Sequence, residues 1–259
     1  MKTRNLINKL AKYFPKGIAL KYHDYPGLQV GKLRENTDNI LICLDFDEIV
    51  LKYMFDNNLL NEIDLIITHH PFIFGKKNDV LSKDKNKAKI TDEISKYNIP
   101  IYSYHTNFDE GKNGMNDALA QRLNLKNIHS LSKVPMARGG CLIKPMDVND
   151  FALYAKNKLN VQYGLLLPYG KEIINNVAII GGGGWYEFKE AQNEGYDIFI
   201  SGDIPHHGRR DVISCHYNYL DLPHEIENIF MEQMKKVILE IDNTLNIITV
   251  EHEKCPKVI

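Results

Sequence analysis

The chain has 259 residues, of which 44% are hydrophobic and 25% are charged, and its formal net charge is −1. This length and composition are typical of a globular protein with one large or two medium α/β domains, and the near-zero charge argues against nucleic acid as a partner. No apolar run is long enough to span a bilayer and no apolar signal segment follows the N-terminus, so we expect a cytoplasmic protein.

Helix and strand patterns alternate along the first part of the chain. The predicted elements are a helix over residues 6–14, a glycine-bounded turn over 27–31, a strand over 40–44, a helix over 48–60 and a strand over 65–68. The last three form a β-α-β unit, which favours a parallel sheet with a right-handed crossover.

The alternation continues to the C-terminus. The predicted elements are a polar surface loop over 76–89 that leads into a helix ending near 97, strands over 99–104, 140–143, 177–180 and 197–201, and helices over 114–123, 148–159, 187–194 and 226–241. The pattern loosens near residues 130–140, where we place a domain boundary. The fold class is therefore α/β.

Two adjacent histidines, His69 and His70, stand at the C-terminal end of the predicted strand 65–68, immediately before Pro71. In open α/β sheets, ligands bind outside the carboxyl ends of the strands. Neighbouring side chains on an extended chain point in different directions, so the pair can serve two positions. Taken alone, such a pair is more often a surface or turn feature than a pair of metal ligands.

Two further segments carry groups that can bind metal. His105 and Asp109 follow a predicted strand, and Pro223 suits a first helical turn that places His224 and Glu227 three residues apart on one face. Taken alone, a His-x-x-Glu pair on a helix is more often solvated than metal-binding, and His105 with Asp109 says little. Together they supply the imidazole nitrogens and carboxylate oxygens expected for zinc, iron or manganese.

Two other features leave alternatives open. Gly181–Gly184 lies between a predicted strand and a predicted helix, where backbone N–H groups can hold a phosphate, but it lacks the dinucleotide and P-loop patterns. A tight turn that permits close packing is the favoured interpretation. A second pair, His206 and His207, either competes for metal or lines a substrate pocket.

In combination these motifs resemble the NIF-three-like family of dinuclear-metal proteins, whose bacterial members carry the name GTP cyclohydrolase 1 type 2 homolog. The resemblance rests on segments 27–31, 66–74, 104–109, 181–184 and 201–203, on His207, and on His224 with Glu227, in the family's order along nearly the whole chain. Pro223 departs from the glycine that the family often has there, which leaves the substrate preference open.

By this resemblance, five residues match the family's metal-binding positions: His69, His70, Asp109, His224 and Glu227. The family pattern implies that His70 and Asp109 hold one ion, that His69 and His224 hold the other, and that Glu227 bridges both. His105 and His207 match pocket positions and are candidates for proton transfer.

The resemblance also implies two α/β domains with mixed or parallel sheets, the first built from both chain ends. We therefore expect a metal-binding domain over 1–130 with 216–259, a second domain over 131–215, and a ring-shaped homohexamer. The implied function is hydrolysis of a nucleotide or related small molecule by water that two divalent cations activate, with GTP as the substrate if the homologs' name transfers. A non-catalytic metal-binding or metal-handling protein is the alternative.

Overall fold

The structure is a computed structural model that describes all 259 residues. Its α-helices are α1 (Thr3–Tyr13), α2 (Lys16–Lys21), α3 (Glu48–Asp56), α4 (Lys77–Lys83), α5 (Lys85–Lys96), α6 (Thr106–Glu110), α7 (Met115–Arg122), α8 (Val148–Lys158), α9 (Phe188–Asn193), α10 (His206–Ser214) and α11 (Ile229–Ile241). Its strands are β1 (Gly27–Val30), β2 (Asn39–Cys43), β3 (Leu65–Thr68), β4 (Ile101–Ser103), β5 (Lys126–Ser130), β6 (Arg138–Asp147), β7 (Leu165–Pro168), β8 (Ile173–Ile179), β9 (Ile198–Ser201), β10 (Asn218–Asp221) and β11 (Asn246–Val250). Short 3-10 turns occur at Leu59–Asn61, Trp185–Glu187 and His224–Asn228.

The chain forms two compact units. The first comprises Met1–Gly114 and Phe230–Glu253, and the second comprises Met115–Ile229 and Lys254–Ile259. The first unit therefore draws on both ends of the chain, as we predicted, while the domain limits given above stay a prediction. No helix is both long enough and apolar enough to cross a membrane.

The first unit contains a five-stranded sheet in the order β1-β4-β3-β2-β11. The four strands from β4 to β11 are parallel, and β1 is an antiparallel edge. The run Ile40–Cys43 is fully buried, which agrees with a strand covered on both faces. Because β3 and β4 are parallel neighbours, the residues that follow them emerge at the same edge of the sheet.

The second unit contains a six-stranded mixed sheet in the order β5-β6-β8-β9-β10-β7. Strands β8, β9 and β10 are parallel, while β5, β6 and β7 pair antiparallel. The carboxyl ends of the parallel strands therefore deliver three segments to one edge, at 181–184, 202–203 and 222–224. The prediction of an α/β fold with mixed sheets is confirmed.

Two local predictions were wrong. Within the predicted turn 27–31, residues Gly27–Val30 form strand β1, because only Gly27 and Gly31 have positive φ and the segment from Gly27 to Val30 pairs with β4. The predicted loop at 76–89 contains α4 and the start of α5. Helix α4 buries none of its residues, so it leaves no periodic apolar pattern in the sequence.

Candidate metal sites in the two units

Three histidines that follow adjacent strands of the first unit lie close together. His69 and His70 follow β3, His105 follows β4, and one ring nitrogen from each lies within 4.8 Å of the others. The ring centroids of His69 and His105 are 5.2 Å apart. The parallel pairing of β3 and β4 thus brings together three residues that the sequence separates by up to 36 positions.

The Asp109 carboxylate belongs to the same group. Its Oδ1 lies 3.5 Å from Nε2 of His69, and both residues are buried, His69 completely. Asp109 lies in the short helix α6, which begins directly after His105. In the structure Asp109 contacts His69. The family pattern instead assigns Asp109 to the ion that His70 binds.

The orientation of His69 and His70 is set by oxygen atoms behind the rings, that is, oxygen atoms that face Nδ1 rather than Nε2. Nδ1 of His69 lies 2.8 Å from the backbone carbonyl oxygen of Tyr104, and Nδ1 of His70 lies 2.7 Å from Oδ2 of Asp45. A carbonyl or ionised carboxylate oxygen accepts but does not donate, so each Nδ1 carries the proton in the neutral ring. Nε2 is then the nitrogen with a lone pair for a metal, as in most histidine ligands.

His105 has the same arrangement with a buried carboxylate. Its Nδ1 lies 2.8 Å from Oδ2 of Asp24, and the Thr106 hydroxyl donates to that oxygen at 2.7 Å. Burial disfavours the charged form of Asp24, but the hydrogen bonds from His105 and Thr106 outweigh it and lower the pKa of Asp24 to about 2. Asp24 is therefore a permanent anion behind His105 at neutral pH.

The second unit presents an imidazole and a carboxylate on one 3-10 turn. Residues three apart eclipse in such a turn, and Nε2 of His224 lies 3.1 Å from Oε2 of Glu227. Behind the ring, Nδ1 of His224 lies 2.5 Å from Oδ2 of Asp203. The hydrogen bond with Glu227 raises the pKa of His224 to about 9 against the effect of burial, and Asp203 acts in the same direction.

The turn formed by Gly181–Gly184 packs against His224 and Glu227. Gly182 has φ +62°, and a Cβ atom there would collide with Oε1 of Glu227 and would lie 3.1 Å from Cε1 of His224. The Gly182 carbonyl accepts hydrogen bonds from the backbone N–H of Gly202 and the hydroxyl of Ser201. The structure therefore agrees with a tight turn that permits close packing, and it explains why the turn needs glycine.

The second histidine pair belongs to helix α10 of the second unit. His206 and His207 are exposed in the first turn of α10, and the ring of His207 lies 5.3 Å from that of Trp185. Neither lines the cavity that contains His224. The proton-transfer role predicted for His207 stays a prediction.

The donor chemistry in each unit fits a divalent cation. The first unit offers three imidazoles and a buried carboxylate, and the second offers an imidazole beside a carboxylate that is only 4% exposed. Buried carboxylates are costly unless charge or hydrogen bonds compensate them, and a cation supplies that charge. Nitrogen and oxygen donors of this kind suit zinc, iron or manganese and do not select among them.

Sequence reasoning missed the three aspartates behind the rings. Asp24, Asp45 and Asp203 lie 81, 25 and 21 positions from their histidines. Asp203 belongs to a segment already included in the resemblance, and Asp45 follows a predicted strand, so both had a weak positional signal. Asp24 had none, because only the fold brings it to His105.

A family model described as Duf34/NIF3 (NGG1p interacting factor 3) matches residues 1–256. The chain belongs to the DUF34/NIF3 family. The resemblance inferred from the sequence motifs is thereby confirmed, and it covers both units.

Individual members of the DUF34/NIF3 family agree with this assignment. A Streptococcus pneumoniae protein named GTP cyclohydrolase 1 type 2 homolog is 31% identical over 223 residues, covering 83% of this chain and 82% of that protein. A Clostridium perfringens protein of the same name is 30% identical over 264 residues, covering 99% of this chain and 98% of that protein. The crystal structure of a Bacillus cereus protein related to NIF3 has a TM-score of 0.87 at 20% identity, covers 100% of this chain and 99% of its own, and shows the shared fold.

Proposed function

We propose that this DUF34/NIF3 protein is a metal-dependent hydrolase that acts on a nucleotide or a related small molecule. In this proposal two divalent cations are held by the five residues of the family pattern, His69, His70, Asp109, His224 and Glu227. The observation that carries the proposal is the common orientation of the histidines. In His69, His70 and His224, Nδ1 faces an oxygen atom, and in His69 and His224 Nε2 faces the carboxylate of Asp109 or Glu227, so Nε2 is the nitrogen that would bind a cation beside those carboxylates.

The hydrophobic surroundings of His69 support a rigid site. Its ring packs against Phe230, with centroids 5.1 Å apart, and Phe108 lies against both. These aromatic side chains are fully buried and keep water away from the imidazole on that side. A ligand held in this way needs little reorganisation to bind a cation.

When bound, the two cations would supply Lewis acidity and lower the pKa of a water molecule. His105 is the residue of this chain best placed to move a proton, because its ring lies beside His69 and its Nδ1–H is committed to Asp24. Nε2 of His105 is therefore the atom that would accept and return the proton. The Asp24 carboxylate would stabilise the imidazolium form and hold the ring in place.

The substrate proposal follows the names of the relatives. Because the relatives carry the name GTP cyclohydrolase 1 type 2 homolog, the proposed substrate is GTP, and the proposed reaction is hydrolytic opening of its guanine imidazole ring with loss of formate. We extend the proposal to a homohexameric assembly, as the resemblance implies, which light scattering on the purified chain can test. A hexamer would elute with about six times the mass of one chain.

Elemental analysis combined with GTP turnover tests the function. We expect bound zinc, iron or manganese and formate release, and we expect His69→Ala and Glu227→Ala to abolish both. His129→Ala is a matched control, because Nδ1 of His129 also faces a backbone carbonyl oxygen, 2.7 Å away, but its Nε2 faces the Tyr196 hydroxyl. Turnover that survives both ligand substitutions would contradict the assignment, and full metal occupancy without turnover of nucleotides or cyclic amides would favour a metal-handling role.

A further inference from the structure

The second unit contains a cavity of about 450 Å³ beside His224. Part of its wall is apolar, formed by Leu165, Ile204, Leu222, Pro223 and Pro256. The remaining wall carries ionisable groups from α10, from the end of β10 and from the 3-10 turn of His224. Ligand pockets commonly combine such an apolar surface with a few polar groups that fix orientation.

Arg209 is the first of these polar groups. Its guanidinium forms no hydrogen bond or ion pair with the protein, and its Nε is shielded from solvent without a partner. Leaving a buried donor unsatisfied is unfavourable, so proteins rarely retain one without a use. An acceptor on a ligand in the cavity would satisfy it.

Asp221 is the second group and faces the same cavity. Burial raises the pKa of its carboxyl to about 6, even though the charge of Arg209 acts in the opposite direction. The two side chains are near enough to interact electrostatically but do not form an ion pair. A donor and an acceptor thus line one cavity without neutralising each other.

The charge of the lining selects among ligand classes. Arg209 is the only lysine or arginine in the wall, which also contains Asp203, Asp221 and Glu225. The three carboxylates outnumber the positive groups Arg209 and His224, so the wall does not favour a polyphosphate, because like charges in a partly desolvated pocket are unfavourable. A neutral ring that both donates and accepts hydrogen bonds suits the wall better.

We propose that this cavity binds the cyclic amide edge of a heterocycle, with the ring N–H donated to Asp221 and the ring carbonyl oxygen accepting from Arg209. The proposal rests on the proposed function, because His224 lines the same cavity and would connect the bound ring to the metal site. It assigns Arg209 and Asp221 as specificity-determining residues. The phosphates of a nucleotide substrate would then lie outside this cavity.

Inosine and adenosine are the matched probes, because they differ only at the six-membered ring edge. Inosine presents an N–H beside a carbonyl oxygen, whereas adenosine presents a ring acceptor beside an amino group. Calorimetric titration of the metal-loaded full chain should show inosine binding at least about 10-fold more tightly than adenosine, since a site built for hydrogen bonds rejects a ligand that cannot form them. Excess tripolyphosphate should not displace inosine.

Two cavity variants and one control variant make the test specific. Arg209→Met should weaken inosine binding at least about 10-fold, while Arg210→Met, the adjacent exposed arginine on the same helix, should leave it unchanged. Asp221→Asn replaces an obligate acceptor by a group that also donates, so the preference should shift toward adenosine by about 10-fold or more. This shift reports on recognition even if a variant is less stable.

Equal binding of the two nucleosides, displacement of inosine by tripolyphosphate, or unchanged binding in Arg209→Met would overturn the proposal. Metal content measured on the same samples separates this outcome from failure of the proposed function. Full metal occupancy without inosine selectivity rejects the cavity assignment alone. Absence of metal from the native protein rejects the hydrolase, and the nucleoside comparison still decides the cavity.

Discussion

The Nδ1 nitrogen of His105 lies 2.8 Å from Oδ2 of Asp24, although the two residues are 81 positions apart in the chain. Asp24 also accepts hydrogen bonds from the hydroxyl and backbone N–H of Thr106. The pair has the geometry of a general base with its orienting carboxylate. In the proposed hydrolase, Asp24 therefore acts through His105 rather than on the substrate.

Asp24→Asn should lower the turnover of GTP by about 10- to 100-fold while metal content stays at the native level. The amide keeps the shape of the carboxylate but removes the negative charge that faces Nδ1 of His105. It can also present an N–H to Nδ1, which would favour the wrong tautomer. Steady-state kinetics and elemental analysis on the same preparation check the two expectations.

The contrast with the aspartates behind the proposed metal ligands provides the control. Asp45→Asn and Asp203→Asn should weaken metal binding by about 10- to 100-fold, because they orient His70 and His224. Titration with a competing chelator measures this directly. Asparagine tolerates the left-handed backbone that Asp203 adopts, with φ 57°, so that substitution adds little strain. Equal metal affinity in all three variants would contradict the proposal that Asp45 and Asp203 orient metal ligands while Asp24 orients a proton-transfer residue.

Much of the fold could be predicted from local patterns because its central strands are short, buried and apolar. The runs around Ile42, Ile67 and Ile179 are bounded by turn signals and appear as β2, β3 and β8. Strands β5 and β7 were missed because most of their residues are partly or fully exposed, so they leave no continuous apolar run. Edge strands often lack such a signal.

The candidate metal ligands were identifiable for a different reason. His69, His70 and His105 occur where predicted strands end, and His224 and Glu227 occur where a proline starts a helix-like turn, so each has a local positional signal. Among the groups behind the rings, Asp45 and Asp203 have only a weak positional signal, and Asp24 has none because it reaches His105 only through the tertiary fold. Arg209 likewise looks like one of two adjacent basic residues in the sequence, and only the cavity distinguishes it.

Gly182→Ala should reduce metal content and turnover, whereas Gly195→Ala should not. Both glycines have positive φ, +62° and +87°, so alanine strains the backbone at each site by about 1–2 kcal/mol. Only at Gly182 would the new Cβ collide with the Glu227 carboxylate, because nothing lies within 4 Å at Gly195. Thermal unfolding should show destabilisation of both variants, while elemental analysis separates them. Native metal content in Gly182→Ala would contradict the role of the glycine turn.

Asp197→Asn should destabilise the protein by about 1–3 kcal/mol at neutral pH. The buried carboxylate accepts hydrogen bonds from the backbone N–H groups of Asn175 and Asn176 and from Nζ of Lys171. Burial opposes ionisation of Asp197, but these contacts outweigh it and lower its pKa below the ordinary value of 3.8. Asp56→Asn is the surface control, because it breaks an exposed ion pair with Lys52 and should cost less than about 0.5 kcal/mol.

The pH dependence of the same substitution has a definite sign. A carboxyl whose pKa is lowered by folding contributes stability above its unfolded pKa, and the contribution is lost as pH falls through the folded value. The difference in unfolding free energy between the native protein and Asp197→Asn should therefore be constant above about pH 5 and shrink below pH 3.8. Urea unfolding at a series of pH values measures this difference. A difference that persists unchanged at acid pH would show that the ionised carboxylate is not what holds strands β8 and β9 together at Asn175 and Asn176.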